Sequence, residues 1–280
     1  MSARGPAARS LSWPALVLVL ALVPTVSSCD QRPPAVGSAG GEVVVFAASS
    51  LSDVFAGLAV EFERIHPGTK VALHCAGSQQ LRLQIAEGAP ADVFAAADAE
   101  PMDALVQAGR VADVTTFATN SLVIVVAHEA RARLASFSAL PEVARLVVGA
   151  DAVPIGRYAR QMLAAASDKL GADFAARVQS RVVSRELSVR AVLARVALGE
   201  ADAGIVYRTD VIAAQRAGAD IATVEVPSAF QVAAHYPIAV LVGSRRPDLA
   251  QAWVALVQSA VGRRALDAAG FVSAAAAAAP

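Results

Sequence analysis

The chain has 280 residues, 56% of them hydrophobic, with 24 basic residues balanced by 24 acidic ones. That length and apolar content suffice to bury one large or two modest α/β cores, and they exclude a chain that is disordered apart from its ends. A formal charge of zero excludes a broad electrostatic footprint for nucleic acid or an anionic membrane surface, so any anion must be held locally.

The first element in chain order is an export signal. Arg4 and Arg9 precede the apolar run WPALVLVLALVPTV at 13–26, which is too short for a comfortable membrane span and reads as a secretory signal peptide over residues 1–28. Its end, Val26-Ser27-Ser28-Cys29, resembles a bacterial lipobox, in which cleavage before the cysteine exposes it for lipidation. The alternative is an ordinary signal peptide with an incidental cysteine. In a Gram-negative host, Asp30 behind a lipidated Cys29 implies retention at the inner membrane. Loss of residues 1–28 removes two arginines and no acid, leaving 22 basic against 24 acidic residues and a formal charge of −2. Cys75 is then the only other thiol, so no internal disulfide forms; at the end of an apolar strand it reads as a buried small hydrophobe. Residues 29–41, with QRPPAVGSAGG at 31–41, are Pro, Gly and Ser rich without periodicity, as a flexible tether requires.

From Glu42 onward strands and helices alternate. EVVVFA leads to a helix over 51–65 that ends at His66-Pro67-Gly68; KVALHC leads to a helix over 79–87; DVFAA leads to a helix over 100–108. A second set follows: SLVIVVA from Ser121, LVVG from Leu146, helices over 156–169 and 188–198, AGIVY from Ala203 and TVEV from Thr223. The chain then reaches YPIAVLVG at Tyr236 and one long amphipathic helix over 247–269. Such βα alternation predicts mostly parallel sheets flanked by helices. Two sets with a late return imply two lobes around a cleft: lobe 1 over 42–120 and 237–273, lobe 2 over 121–236, with hinges near Thr119 to Ser121 and around Tyr236. The low-complexity tail over 274–280 is expected to fray.

Four positions repeat one local device, a short polar or glycine-containing turn between elements: Ser50, Ser78, the VPIG turn at 153–156, and Ser188-Val189. Each offers unpaired helix N-terminal amides suited to an anion, and the serines add hydroxyls. Taken singly, each is an ordinary helix cap. All four lie on the C-terminal side of strands, where ligands bind in open α/β sheets.

VFAASSL, GSQQLRLQIAEGAPADVFAAAD, VPIGRYAR, SVRAVLARVALGEADAGIVYRTD and YPIAVLVGS resemble, in order and spacing, the periplasmic molybdate-binding proteins of bacterial ABC importers. The resemblance covers nearly everything from Glu42 to Phe271. It implies a two-lobed periplasmic binding protein fold of type II with the ligand in the interlobe cleft. It also implies an exported or membrane-anchored monomer that delivers molybdate or tungstate to a permease and its cytoplasmic ATPase, with no cofactor. Position by position, it places hydroxyl and amide donors at Ser50 and Ser78, amide donors at Ile155 and Val189, and a hydroxyl donor at Tyr207. Ser49 stands where the family usually has Ala; it reads as a bystander facing the helix, with an extra contact as the alternative. Ile155 replaces a small residue common in this turn, and its bulk bears on the pocket wall.

Seven donors at a discounted ~1.5 kcal/mol per charge-assisted bond come to about 10 kcal/mol before association costs, between micromolar and nanomolar strength. A site made only of donors favours a fully deprotonated tetrahedral dianion, because a protonated one brings a hydrogen that meets no acceptor. Another oxyanion such as sulfate is the alternative cargo, and a catalytic domain on the same fold is the alternative class. Against catalysis, no GxSxG, GxxxxGK[ST] or GxGxxG motif occurs and the candidate cleft holds neither His nor carboxylate. Arg82, Arg157, Arg190 and Arg208 read as solvated or paired helix residues, and Asp92 and Asp98 as turn-orienting acids. His66, His74, His128 and His235 have no metal-ligand spacing, so no cation site is expected.

Overall fold

The computed structural model describes residues 40–274. The signal peptide 1–28, Cys29, the tether up to residue 39 and the tail from residue 275 lie outside the described residues.

In chain order the elements are β1 (Glu42–Ala48), α1 (Ser52–Ile65), β2 (Lys70–Ala76), α2 (Ser78–Ala86), β3 (Val93–Ala95), α3 (Ala99–Gln107) and β4 (Thr115–Asn120). Then come β5 (Leu122–Ala127), β6 (Leu146–Gly149), α4 (Pro154–Leu170), α5 (Phe174–Gln179), β7 (Val182–Glu186), α6 (Val189–Ala197), β8 (Ala203–Tyr207), α7 (Arg208–Arg216) and β9 (Ile221–Glu225). The chain closes with β10 (Ala234–Val240), α8 (Pro247–Gln258), α9 (Ala260–Ala269) and β11 (Val272–Ser273).

These elements form two sheets, in the orders β11-β4-β10-β3-β1-β2 and β7-β6-β8-β5-β9. Each contains a parallel trio, β3-β1-β2 in the first and β7-β6-β8 in the second. The expectation of mostly parallel sheets is corrected outside those trios. β4, β5, β9, β10 and β11 pair antiparallel, because the crossing strands enter each sheet from the opposite end. Only Ser121 separates β4 from β5, and the return crossing runs through residues 226–233. Tyr236 therefore lies past the crossing, fully buried inside β10 of the first sheet.

Apolar spacing explains most helices. In α1 the residues Phe55, Leu58, Ala59 and Phe62 recur at helical intervals and are buried, while Asp53 complements the positive N-terminal end. Trp253 of α8 meets Phe55 and Phe62 edge-on, with ring centroids 5.4 and 5.5 Å away, which ties the late helices to the first lobe. The expected single helix over 247–269 is two. Ser259 is extended, and its Oγ accepts from the Val261 and Gly262 amides at 3.2 Å, so a good cap starts a new helix in place of continuing the old one. Strands β4 and β7 were not expected: TTFATN and VVSRE are too polar to show an apolar run. Cys75 is corrected as well. It is exposed, because β2 is the sheet edge and has no outer neighbour among the described residues to cover it.

Candidate functional site

Each sequence-predicted residue sits where a strand or extended residue hands over to a helix. Ala48 is extended, then Ser49–Leu51 form a 3-10 turn leading into α1. Ser78 is the first residue of α2, behind extended Gly77. Val153 is extended and Pro154 opens α4, where its missing N–H costs nothing, so Ile155 falls in the first turn. The helix therefore begins two residues before the expected 156. Ser188 caps α6, its Oγ accepting from the Ala191 amide at 3.2 Å, and leaves Val189 as the first helical residue. Tyr207 ends β8 immediately before α7. First-turn amides have no acceptor within their own helix, and four such starts converge.

Ser50, Ser78, Ile155, Val189 and Tyr207 line one cavity, which gives the centre of a water-sized sphere about 10 Å³ to occupy, and Ser49 lines it with them. That is room for about one small group, far below the roughly 300–1,000 Å³ of sites for drug-sized ligands, and it suits a compact ion. Among the described residues, no acidic, basic or histidine side chain lines it. Ser78 Oγ accepts from the Ala97 amide at 3.1 Å, so its own hydrogen is free to face elsewhere. Ser50 Oγ and Tyr236 Oη lie 2.9 Å apart. The Tyr207 hydroxyl has no partner among the described residues although the residue is only 1% exposed. Burial pushes its pKa well above the ordinary tyrosine value, so it remains a donor at any physiological pH. An unpaired buried hydroxyl costs on the order of 1–3 kcal/mol, which an incoming acceptor recovers.

Contacts between the lobes flank the cavity. Arg157 of α4 reaches Asp98 Oδ2 with Nε at 2.6 Å and Glu100 at 3.2 Å, and Tyr158 donates to Asp98 Oδ1 at 3.4 Å. On the other flank, Arg190 of α6 pairs with Asp53 of α1. Gln79 Nε2 donates to the Leu187 carbonyl at 2.9 Å. There Gly77 is required: a Cβ at this position would lie 2.3 Å from that same carbonyl oxygen. Gly156 has a similar constraint, since its Cβ would meet the Ala150 oxygen at 2.1 Å.

The four arginines do not line the cavity. Arg157, Arg190 and Arg208 are paired, Arg208 with Glu225 at 2.9 Å and with Ser121 Oγ at 3.1 Å. Arg82 departs from that reading, its Nε being buried without a partner. Asp92 orients a turn, accepting from the Val44 amide at 2.8 Å and from Ser244 Oγ at 2.7 Å. Asp98 caps α3 in addition to its ion pairs. Asp210 is wholly buried behind Arg190, with Oδ1 3.1 Å from Nε in an ionic contact that is not aligned as a hydrogen bond. Burial raises its pKa to about 7, and the attraction of Arg190 only partly opposes this.

Sequence reasoning did not single out Gly77, Asn120 or Tyr236 as site residues. A glycine directly ahead of a predicted binding serine was the available signal for Gly77. Asn120 and Tyr236 contact partners 89 and 186 residues away, which no local pattern encodes.

A family model for bacterial extracellular solute-binding proteins matches residues 43–272. The chain is similar to the molybdate-binding protein ModA of Mycobacterium tuberculosis, with 38% identity over 257 residues that cover 89% of this chain and 94% of the relative. In structure it is similar to the periplasmic molybdate-binding protein of Azotobacter vinelandii, at 22% identity and a TM-score of 0.69, covering 82% of this chain and 98% of that one. It is also similar to the sulfate-binding protein SubI of Mycobacterium tuberculosis, at 20% identity and a TM-score of 0.76, covering 85% and 88%. At these identities the structural likenesses carry the fold alone: two lobes, as the alternation along the chain implied.

Proposed function

The chain belongs to the bacterial extracellular solute-binding protein family, in its ModA branch, and on that premise we propose that it captures molybdate, and tungstate with it, for delivery to an ABC permease driven by a cytoplasmic ATPase. The observation that carries this reading is the small uncharged cavity that combines helix-start amides with a buried, unpartnered Tyr207 hydroxyl. Such a wall balances a dianion by hydrogen bonds from preorganised dipoles, without a salt bridge. In this reading Ser50 and Ser78 donate through hydroxyl and amide, Ile155 and Val189 through amides, and Tyr207 through its hydroxyl. The lobes hinge at Ser121 and at residues 226–233, and the contacts from Arg157 to Asp98 and from Arg190 to Asp53 hold them shut. Cys29 carries a lipid that keeps the domain at the outer face of the cytoplasmic membrane, with residues 30–41 as its tether.

Sulfate is the second reading, since a wall of donors without a charged side chain admits any fully deprotonated tetrahedral dianion. It is a smaller dianion and fits a molybdate-sized shell loosely. Titration calorimetry and melting curves of the mature protein with molybdate, tungstate, sulfate and phosphate decide between them. Binding and a rise in melting midpoint with the first two alone are expected. A response to sulfate alone replaces the cargo, and no response to any of the four overturns the assignment. For the anchor, wild type partitions into detergent and carries acyl mass at Cys29, whereas Cys29→Ala remains soluble; equal behaviour of both overturns lipidation.

A further inference from the structure

The hydroxyl of Ser50 is held by a chain of buried hydrogen bonds whose direction is fixed at its far end. Asn120, at the end of β4, accepts from the Ser121 amide through Oδ1 at 2.9 Å, which sets its side-chain amide with the nitrogen on the opposite side. That nitrogen donates to Thr209 Oγ1 at 2.8 Å and to Tyr236 Oη at 3.4 Å. An amide nitrogen only donates, so the Tyr236 oxygen is an acceptor towards Asn120. Its own hydrogen then goes to Ser50 Oγ, 2.9 Å away. With Ser50 Oγ occupied as an acceptor, the remaining Ser50 hydrogen points away from Tyr236, and Ser50 lines the cavity.

We propose that Tyr236, oriented by Asn120, is a positioning residue that turns the Ser50 hydrogen towards the cavity and thereby favours fully deprotonated oxyanions over those that carry a proton. This rests on the oxyanion reading of the cavity. Ser78 reaches the same state through the Ala97 amide, which is a permanent donor. Ser50 has no such backbone partner and depends on two side chains. A free serine hydroxyl turns to suit its ligand, donating to molybdate and accepting from the hydroxyl of hydrogen phosphate; one whose oxygen already accepts from Tyr236 has its hydrogen turned away from that bond and one lone pair fewer to offer, which favours donation. Tyr236 is 0% exposed, so water does not compete for its bond to Ser50. Burial also keeps its hydroxyl protonated, with its pKa far above the ordinary value.

Titration calorimetry with molybdate and with inorganic phosphate, on wild type, Tyr236→Phe, Ser50→Ala and the double variant, tests this at pH 7. In Tyr236→Phe the ratio of molybdate to phosphate affinity is expected to narrow about tenfold or more, by weaker molybdate and stronger phosphate binding. In the Ser50→Ala background the same substitution is expected to change that ratio less than twofold, because the hydroxyl it orients is gone. Asn120→Leu, which leaves Tyr236 in place but releases its direction, is expected to shift the ratio the same way by a smaller factor. Equal losses for both anions in Tyr236→Phe, or the same change in ratio with and without Ser50, overturn the proposal. Wild type that fails to bind molybdate overturns the oxyanion reading itself, a distinct result. Melting midpoints without anion check that each variant folds; should Tyr236→Phe not fold, Asn120→Leu decides by the same ratio.

Discussion

The two walls of the cavity use different chemistry. The first lobe offers serines whose oxygens are already engaged, Ser78 by the Ala97 amide and Ser50 by Tyr236, so their donor directions exist before any anion arrives. The second lobe offers the starts of α4 and α6 and the Tyr207 hydroxyl, which has no partner among the described residues. One wall is preset and the other is left incomplete, so the second lobe gains most when an anion bridges the cleft. In the proposed reading capture and closure are the same event, since the unsatisfied groups on the second wall are relieved when the first wall's ligand reaches them.

Substitutions can break this contrast, and the largest effect is expected where the walls approach one another. Gly77→Val places carbon against the Leu187 carbonyl and keeps the lobes apart, so molybdate affinity by calorimetry is expected to fall more than about 100-fold while the melting midpoint without anion stays near wild type. Ser78→Ala removes a preset donor and is expected to cost about 10- to 100-fold. Tyr207→Phe is expected to cost about tenfold in affinity, yet to leave the anion-free protein as stable as wild type or more so, because it deletes a buried unpaired hydroxyl. That opposite pair of signs is the sharpest test of the incomplete wall; a loss of anion-free stability would show that Tyr207 is already satisfied. Asp53→Asn is expected to change affinity twofold or less at physiological salt, since Asp53 is exposed, whereas Arg157→Gln on the half-buried flank costs more and responds less to salt.

A last effect, on stability and not on affinity, is one of pH. Asp210 binds its proton up to about 7 in the folded protein and to an ordinary 3.8 when unfolded. Between those values the folded state holds the extra proton, so this group's contribution to stability falls as pH rises from about 4 to about 7 and is level above. The melting midpoint of wild type relative to Asp210→Asn is therefore expected to drop between pH 5 and pH 8. A constant difference would place the Asp210 pKa outside that window.

Much of the site was legible because its residues lie in local patterns. A strand ending in Ala-Ser-Ser, a Gly-Ser opening a helix, a Val-Pro opening another and a serine cap ahead of Val189 each announce free amides within a few residues. The alternation of apolar strands and amphipathic helices likewise exposed two α/β sets. What escaped depends on distant neighbours. TTFATN becomes β4 only because β10 and β11 flank it, and the exposure of Cys75 follows from β2 having no outer partner among the described residues. The break at Ser259 is a competition between a cap and a continuing helix that periodicity over 247–269 does not resolve. Tyr236 looked like one more residue of an apolar strand, and its bond to Ser50 joins positions 186 apart.

The exposed thiol of Cys75 also gives the molecule an optical handle. It is the next-to-last residue of β2, immediately before Ala76, which lines the cavity, and the charges of Arg190 and Asp53 act on it. In a chain that begins at Gly40 it is the sole cysteine, so one maleimide dye attaches at one place. A fluorophore there sits beside the ion pair that joins α1 to α6, and its emission would report the opening and shutting of the cleft in real time, turning a transport component into a sensor for its own cargo.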